Sequence, residues 1–143
     1  MTKECDRNER EMATIVVAFD GVRNSRRALE RVAELAGEGD RVVVVGSVEA
    51  AWTGNRLQFE PEEIEERRRS LDEARRILFQ LGVGARTMLG RGREASVLAS
   101  VASQNAARLI VIGRPRTVAQ RIGLRLGVAR LERLAPCPVV RVR

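Results

Sequence analysis

Leu109-Ile110-Val111-Ile112-Gly113 is an apolar run of strand length that ends on a glycine. A basic loop follows, and then Gly127 stands at the mouth of a helix pattern. Glycines at a strand-to-helix turn let backbone amides approach a bound anion, and a helix N-terminus favours negative charge. Ile15-Val16-Val17-Ala18-Phe19-Asp20-Gly21 is a second buried-type strand, and it stops on a carboxylate. Asp20 there could accept hydrogen bonds from a ribose or a base, or serve only as a turn-forming Asx residue. If the two strands are neighbours, Asp20 and Gly113 face one crevice, because open parallel sheets bind ligands beyond the carboxyl ends of strands where the order reverses. Arg114, Arg116, Arg121 and Arg125 add four guanidiniums in or beside the loop. Each can hold phosphate in a fork, or stay solvated, or meet acidic groups on a partner.

Absent residue types exclude most other chemistry. The chain has no histidine, and its one lysine is Lys3. That removes Ser-His-Asp and Cys-His catalysis, histidine zinc motifs and a P-loop lysine. Tyrosine is absent and Trp52 is the one tryptophan, leaving few platforms for stacking single-stranded bases. Cys5 and Cys137 are far apart and lack metal spacing, as expected of two unpaired thiols in a reducing compartment. Cys137, between Pro136 and Pro138, fits a small buried hydrophobe better than a nucleophile.

The net charge of +7 is unevenly placed. Residues 84–143 carry 12 basic and 2 acidic side chains, whereas residues 1–83 are slightly acidic. The half that holds the glycine loop therefore presents either an anion-attracting face or simply an arginine-rich surface. No apolar run approaches the roughly 20 residues that span a bilayer, and the polar first dozen residues do not resemble a secretory signal. A cytoplasmic protein is expected, with residues 1–12 a disordered extension and 13–143 one domain.

Alternating patterns supply the elements that must hold these groups. Residues 14–19 form strand one, and Asn24 or Ser25 caps a helix with Ala28, Leu29, Val32, Leu35 and Ala36 on one face. Val42 to Val45 is a β-branched run suited to a strand buried on both sides. Residues 49–60 read as a loop, and Pro61 with Glu62 and Glu63 opens a helix carrying Ile64, Leu71, Ala74, Leu78 and Leu81 inward. Glu65, Glu66, Arg67, Arg68 and Arg69 read as its solvated face. Strand three covers about 85–89, a helix 94–105, strand four 109–112, a last helix 128–134, and strand five 139–142. Such alternation requires an α/β fold, a single doubly wound domain with helices on both faces of a parallel sheet.

Val17-Ala18-Phe19-Asp20-Gly21 with Ser25-Arg26-Arg27-Ala28-Leu29, the run ending in Gly113, and Leu131-Glu132-Arg133-Leu134-Ala135-Pro136-Cys137-Pro138-Val139-Val140 together resemble the universal stress protein family. The resemblance implies a five-stranded parallel sheet in the order 3-2-1-4-5, which sets strands one and four side by side. Its ATP-binding branch carries Gly-x-x-Gly, nine residues, then Gly-Ser or Gly-Thr. Gly113 and Gly127 match two of those glycines. Arg116 replaces the other, the following gap is one residue longer, and Val128 stands in the hydroxyl position. Pro115 removes an amide from the loop, and Arg108 occupies the usual place of an Asp.

The leading expectation is a non-catalytic stress or regulatory module without tight ATP binding, at most a very slow nucleotide hydrolase. The alternative is a sensor of ATP, ADP or AMP, with Mg²⁺, held by Asp20, Gly113, Arg114, Arg116, Gly127 and Val128. A weak, sequence-independent nucleic-acid binder is a third class, disfavoured by the scarcity of aromatics. No membrane partner is expected. In the implied order the last strand is an edge, so a homodimer pairing Val139, Val140, Arg141 and Val142 across a two-fold is also expected.

Overall fold

The computed structural model describes residues 13–19, 26–113 and 128–142. Strands β1 (Thr14–Ala18), β2 (Arg41–Val48), β5 (Ala85–Arg91), β6 (Ala107–Ile112) and β7 (Val139–Arg141) form one sheet in the order β5-β2-β1-β6-β7. Every pairing within it is parallel. This is the 3-2-1-4-5 order implied by the resemblance, with the edge strand β5 standing as strand three.

Helices α1 (Arg26–Leu35), α2 (Pro61–Gln80) and α3 (Glu94–Gln104) connect the strands, and residues 128–134 form α4. Helices α1 and α2 close one face. Ala28, Leu29 and Val32 of α1, with Leu71, Ala74 and Leu78 of α2, pack on Ile15, Val17, Val42, Val44, Leu109 and Val111. Helices α3 and α4 close the other face over Val16, Ala18, Val43, Val45, Ile110 and Ile112. The β-branched runs of β1 and β2 are buried on both faces, which a strand in the middle of a covered parallel sheet must be.

Pro61 stands at the start of α2 with Glu62 and Glu63 in the first turn, where the amide dipoles favour carboxylates. Leu81 follows the helix and is exposed rather than part of its inward stripe. Beyond it Gly82 takes a φ of 86°, and Val83 N–H reaches back to Leu78 O, a Schellman-type turn that carries Leu81 away from the core.

Residues 49–60 are more ordered than a plain loop. β3 (Ala51–Thr53) and β4 (Arg56–Gln58) form an antiparallel hairpin closed by Gly54-Asn55. Gly54 has a φ of 64°, and the one left-handed non-glycine among the described residues is Ala106. A glycine at the first position alone is the requirement of a type II′ turn, which matches the twist of the flanking strands. All six strand residues are exposed, including Trp52 and Leu57, which face each other across the pair.

Arg108 ties the far end of the sheet. Its guanidinium donates to Leu35 O at 2.8 Å, at the end of α1, and to Asp40 Oδ2 at 3.0 Å. The same Asp40 oxygen accepts from Gly37 N–H at 2.8 Å. The Asp40 side chain is 4% exposed, so both its partners and its burial hold the turn between α1 and β2. No described helix is long and apolar enough to cross a membrane.

Candidate functional site

β1 and β6 are adjacent, with Val17 opposite Val111 and Ala18 opposite Ile112. The next residue on each strand is Phe19 or Gly113, and both are buried. Phe19 N–H donates to Val45 O at 3.1 Å, and Ile112 O accepts from Val142 N–H at 2.9 Å. Neighbouring strands therefore pin the carboxyl ends of β1 and β6 from either side. Asp20, Arg114, Arg116 and Gly127 lie outside the described residues, as do Pro115, Arg121 and Arg125.

Val128 is 9% exposed and belongs to the apolar cluster that contains Ala18, Ile112 and Leu131. A valine side chain there supplies packing and has no group that can hydrogen-bond phosphate. Its burial anchors the start of α4 beneath the carboxyl ends of β1 and β6.

The rest of the rim is built by β2 and β5. A side chain at Gly46 would meet Leu71 Cδ2 at 3.4 Å, and one at Gly90 would meet Val97 Cγ1 at 2.3 Å. The bare Gly90 backbone thus lets α3 start close against β5. Gly92, with a φ of 128°, completes the turn, and its N–H donates to Val48 O at 2.8 Å. Arg93 and Glu94 follow at the start of α3.

Arg67 is not part of a solvated face. Its side chain is 14% exposed, its Nε donates to Ser47 O at 3.2 Å, and its Nη2 pairs with Glu63 Oε1 at 3.3 Å. A charged fork thereby fixes α2 to the carboxyl end of β2. The signal was in the spacing, because Arg67 falls on the stripe of Ile64, Leu71, Ala74 and Leu78. Arg91 lies over the Phe59 ring at 5.1 Å from its centre and seats the end of the hairpin segment beside β5.

Cys137 is half-buried against the α3 and α4 cluster, and burial raises its thiol above the ordinary value. It is less of a thiolate at neutral pH than a free cysteine, which suits a packing role and disfavours nucleophilic chemistry. Among the described residues no three histidine, cysteine or carboxylate side chains gather as a metal would require.

The family model described as the universal stress protein family matches residues 12–143. Among solved structures, a universal stress protein from Archaeoglobus fulgidus in complex with dAMP is 26% identical, with a TM-score of 0.72 over 92% of this chain and 98% of that one. A protein of the same family from Burkholderia pseudomallei is 30% identical, with a TM-score of 0.68 over 92% and 96%. A family member from Arabidopsis thaliana with AMP bound is 15% identical, with a TM-score of 0.60 over 91% and 90%, a likeness of fold alone. No protein of curated function matches the chain.

Proposed function

Because the chain belongs to the universal stress protein family, we propose that it is a non-catalytic stress-response module that holds ATP weakly or not at all. The burial of Val128 carries this proposal. Where the resembled pattern has a hydroxyl on phosphate, this chain has an apolar side chain committed to the core beside Ala18 and Ile112. Arg116 for glycine and the amide lost at Pro115 act in the same direction. The adenine-nucleotide sensor is the second reading, favoured by the dAMP-bound relative and by the buried Gly113 beside Phe19. In that case Arg114 and Arg116 replace backbone amides as phosphate clamps. A cytoplasmic location belongs to the same proposal, in keeping with the free thiol of Cys137.

The protein as purified, denatured and assayed for released nucleotide distinguishes the two. The module without tight binding releases far less than one adenine nucleotide per chain. Stoichiometric release would overturn it in favour of the sensor.

The proposed module is a homodimer joined through β7. Among the described residues β7 pairs with β6 alone, which leaves its outer edge to be covered. Val139 packs toward α3 and α4, Val140 and Val142 toward α1 and α2, and Arg141 pairs with Glu132 at 3.2 Å. Light scattering at tens of micromolar protein is expected to give twice the 15.9 kDa chain mass. Pro138 O accepts from Ile110 N–H and Val142 N–H donates to Ile112 O, so the alternate residues Val139 and Arg141 aim their amides outward. Arg141→Pro, which removes one of these donors, should shift the mass toward the monomer. A wild-type mass near one chain would end the dimer proposal.

A further inference from the structure

The other edge of the sheet is β5, and it is built differently from β7. It runs seven residues from Ala85 to Arg91, against three for β7, and it pairs along its whole length with β2. On one face Ala85 and Leu89 are packed with the α1 and α2 cluster. On the other, Arg86 and Met88 are exposed, while their register partners Val43 and Val45 lie buried under α3. The cover over that face stops between β2 and β5 and leaves a shelf beside an open backbone edge.

Charge frames this shelf at both ends. Arg41 and Arg86 line an open depression of about 470 Å³ at the amino end of β5. Arg93 stands exposed at its carboxyl end. Among the described residues, the side chains of Arg86 and Arg93 have no hydrogen bond or ion pair, whereas Arg91, set by the strand's alternation on the opposite face with Ala85 and Leu89, lies over the Phe59 ring. Between the charged ends sits Met88, 38% exposed, an adaptable apolar seat.

We propose that β5 is a docking edge for an extended acidic segment of a partner protein, added as a further strand with its acidic ends on Arg86 and Arg93 and an apolar residue on Met88. Main-chain hydrogen bonds supply the attachment and the side chains beside them the selection, as in other strand-addition interfaces. The arginines also say what does not dock. Two copies of this basic strand repel each other, so the edge is closed to self-association while it attracts the opposite charge.

The test uses the labelled peptide Asp-Glu-Val-Thr-Val-Thr-Glu-Asp and the full chain at low salt. Fluorescence anisotropy is expected to show saturable binding, and hydrogen exchange is expected to slow at β5 amides. Arg86→Glu with Arg93→Glu should weaken binding at least about tenfold, whereas Arg75→Glu with Arg76→Glu, exposed on α2, should change it less than about twofold. The same peptide with proline in place of both threonines keeps its charge but cannot complete a ladder, and it should not bind. Equal binding of the proline peptide, equal loss in the α2 variant, unchanged β5 exchange or no binding would each overturn the proposal. So would tighter binding of a single-stranded oligonucleotide with the same sensitivity to Arg86 and Arg93, which would make this a general polyanion surface.

Discussion

Phe19→Ala is expected to cost about 3–5 kcal/mol, a large share of the roughly 5–15 kcal/mol that holds a domain of this size together. Phe19 is 2% exposed and heads the largest fully buried side chains. It packs in the cluster between the sheet and the helices α1 and α2. Truncation to alanine removes most of the ring and leaves a cavity that the surrounding β-branched residues cannot fill by changing rotamer. Phe19 N–H is bonded to Val45 O, so the backbone at the end of β1 has little freedom to collapse into the space. Urea melts should show the midpoint falling with an unchanged slope, as for a change of stability alone. Phe19→Leu should cost less than about 1.5 kcal/mol, because volume is largely kept. An alanine variant within about 1 kcal/mol of the wild type would contradict the packing described at the end of β1.

Gly90→Ala is the second large effect. The added Cβ would lie 2.3 Å from Val97 Cγ1, 3.0 Å from Cγ2 and 3.2 Å from Cβ. Rotating the valine clears the methyls but not its Cβ, which the α3 backbone fixes. Either α3 lifts from β5 or the strand bends, at about 1–3 kcal/mol. Gly84→Ala is the control, since nothing lies within 4 Å of a side chain there. The double variant Gly90→Ala with Val97→Ala should be less destabilised than the sum of the two single changes, by about 1 kcal/mol or more. Thermal melts of the four proteins measure this coupling. Strict additivity would mean that a Cβ at position 90 does not press on Val97.

The strands were legible where burial on both faces leaves little choice of residue, as at Val42 to Val45, where exposure is 0–2%. Periodicity gave the α1 stripe for the same reason. Strand order was not in the periodicity, and the resemblance supplied it. The hairpin escaped because its strands are three residues long and fully exposed, so no hydrophobic alternation marks them. Its signal was the Gly54-Asn55 pair, which a two-residue turn requires. Arg67 looks solvated by its charge, but its position on the apolar stripe decides its burial. Arg108 stands out in the sequence only as a departure from the family pattern, because its partner Asp40 is 68 residues away. Of the candidate site, the adjacency of β1 and β6 followed from the implied strand order, while Asp20, expected to face Gly113 there, lies outside the described residues. The burial of Val128 depends on where α4 meets the sheet, a long-range packing fact that no local pattern encodes.

Calorimetry with ATP and Mg²⁺ at low salt tests the account most directly. The proposed module should give a dissociation constant of about 100 µM or weaker, or no measurable heat. Arg116→Gly combined with Val128→Ser, which restores a glycine and a hydroxyl to the loop, should tighten binding by about tenfold or more. A submicromolar constant for the unaltered protein, lost on Asp20→Ala, would contradict the account and establish the crevice as a working nucleotide site.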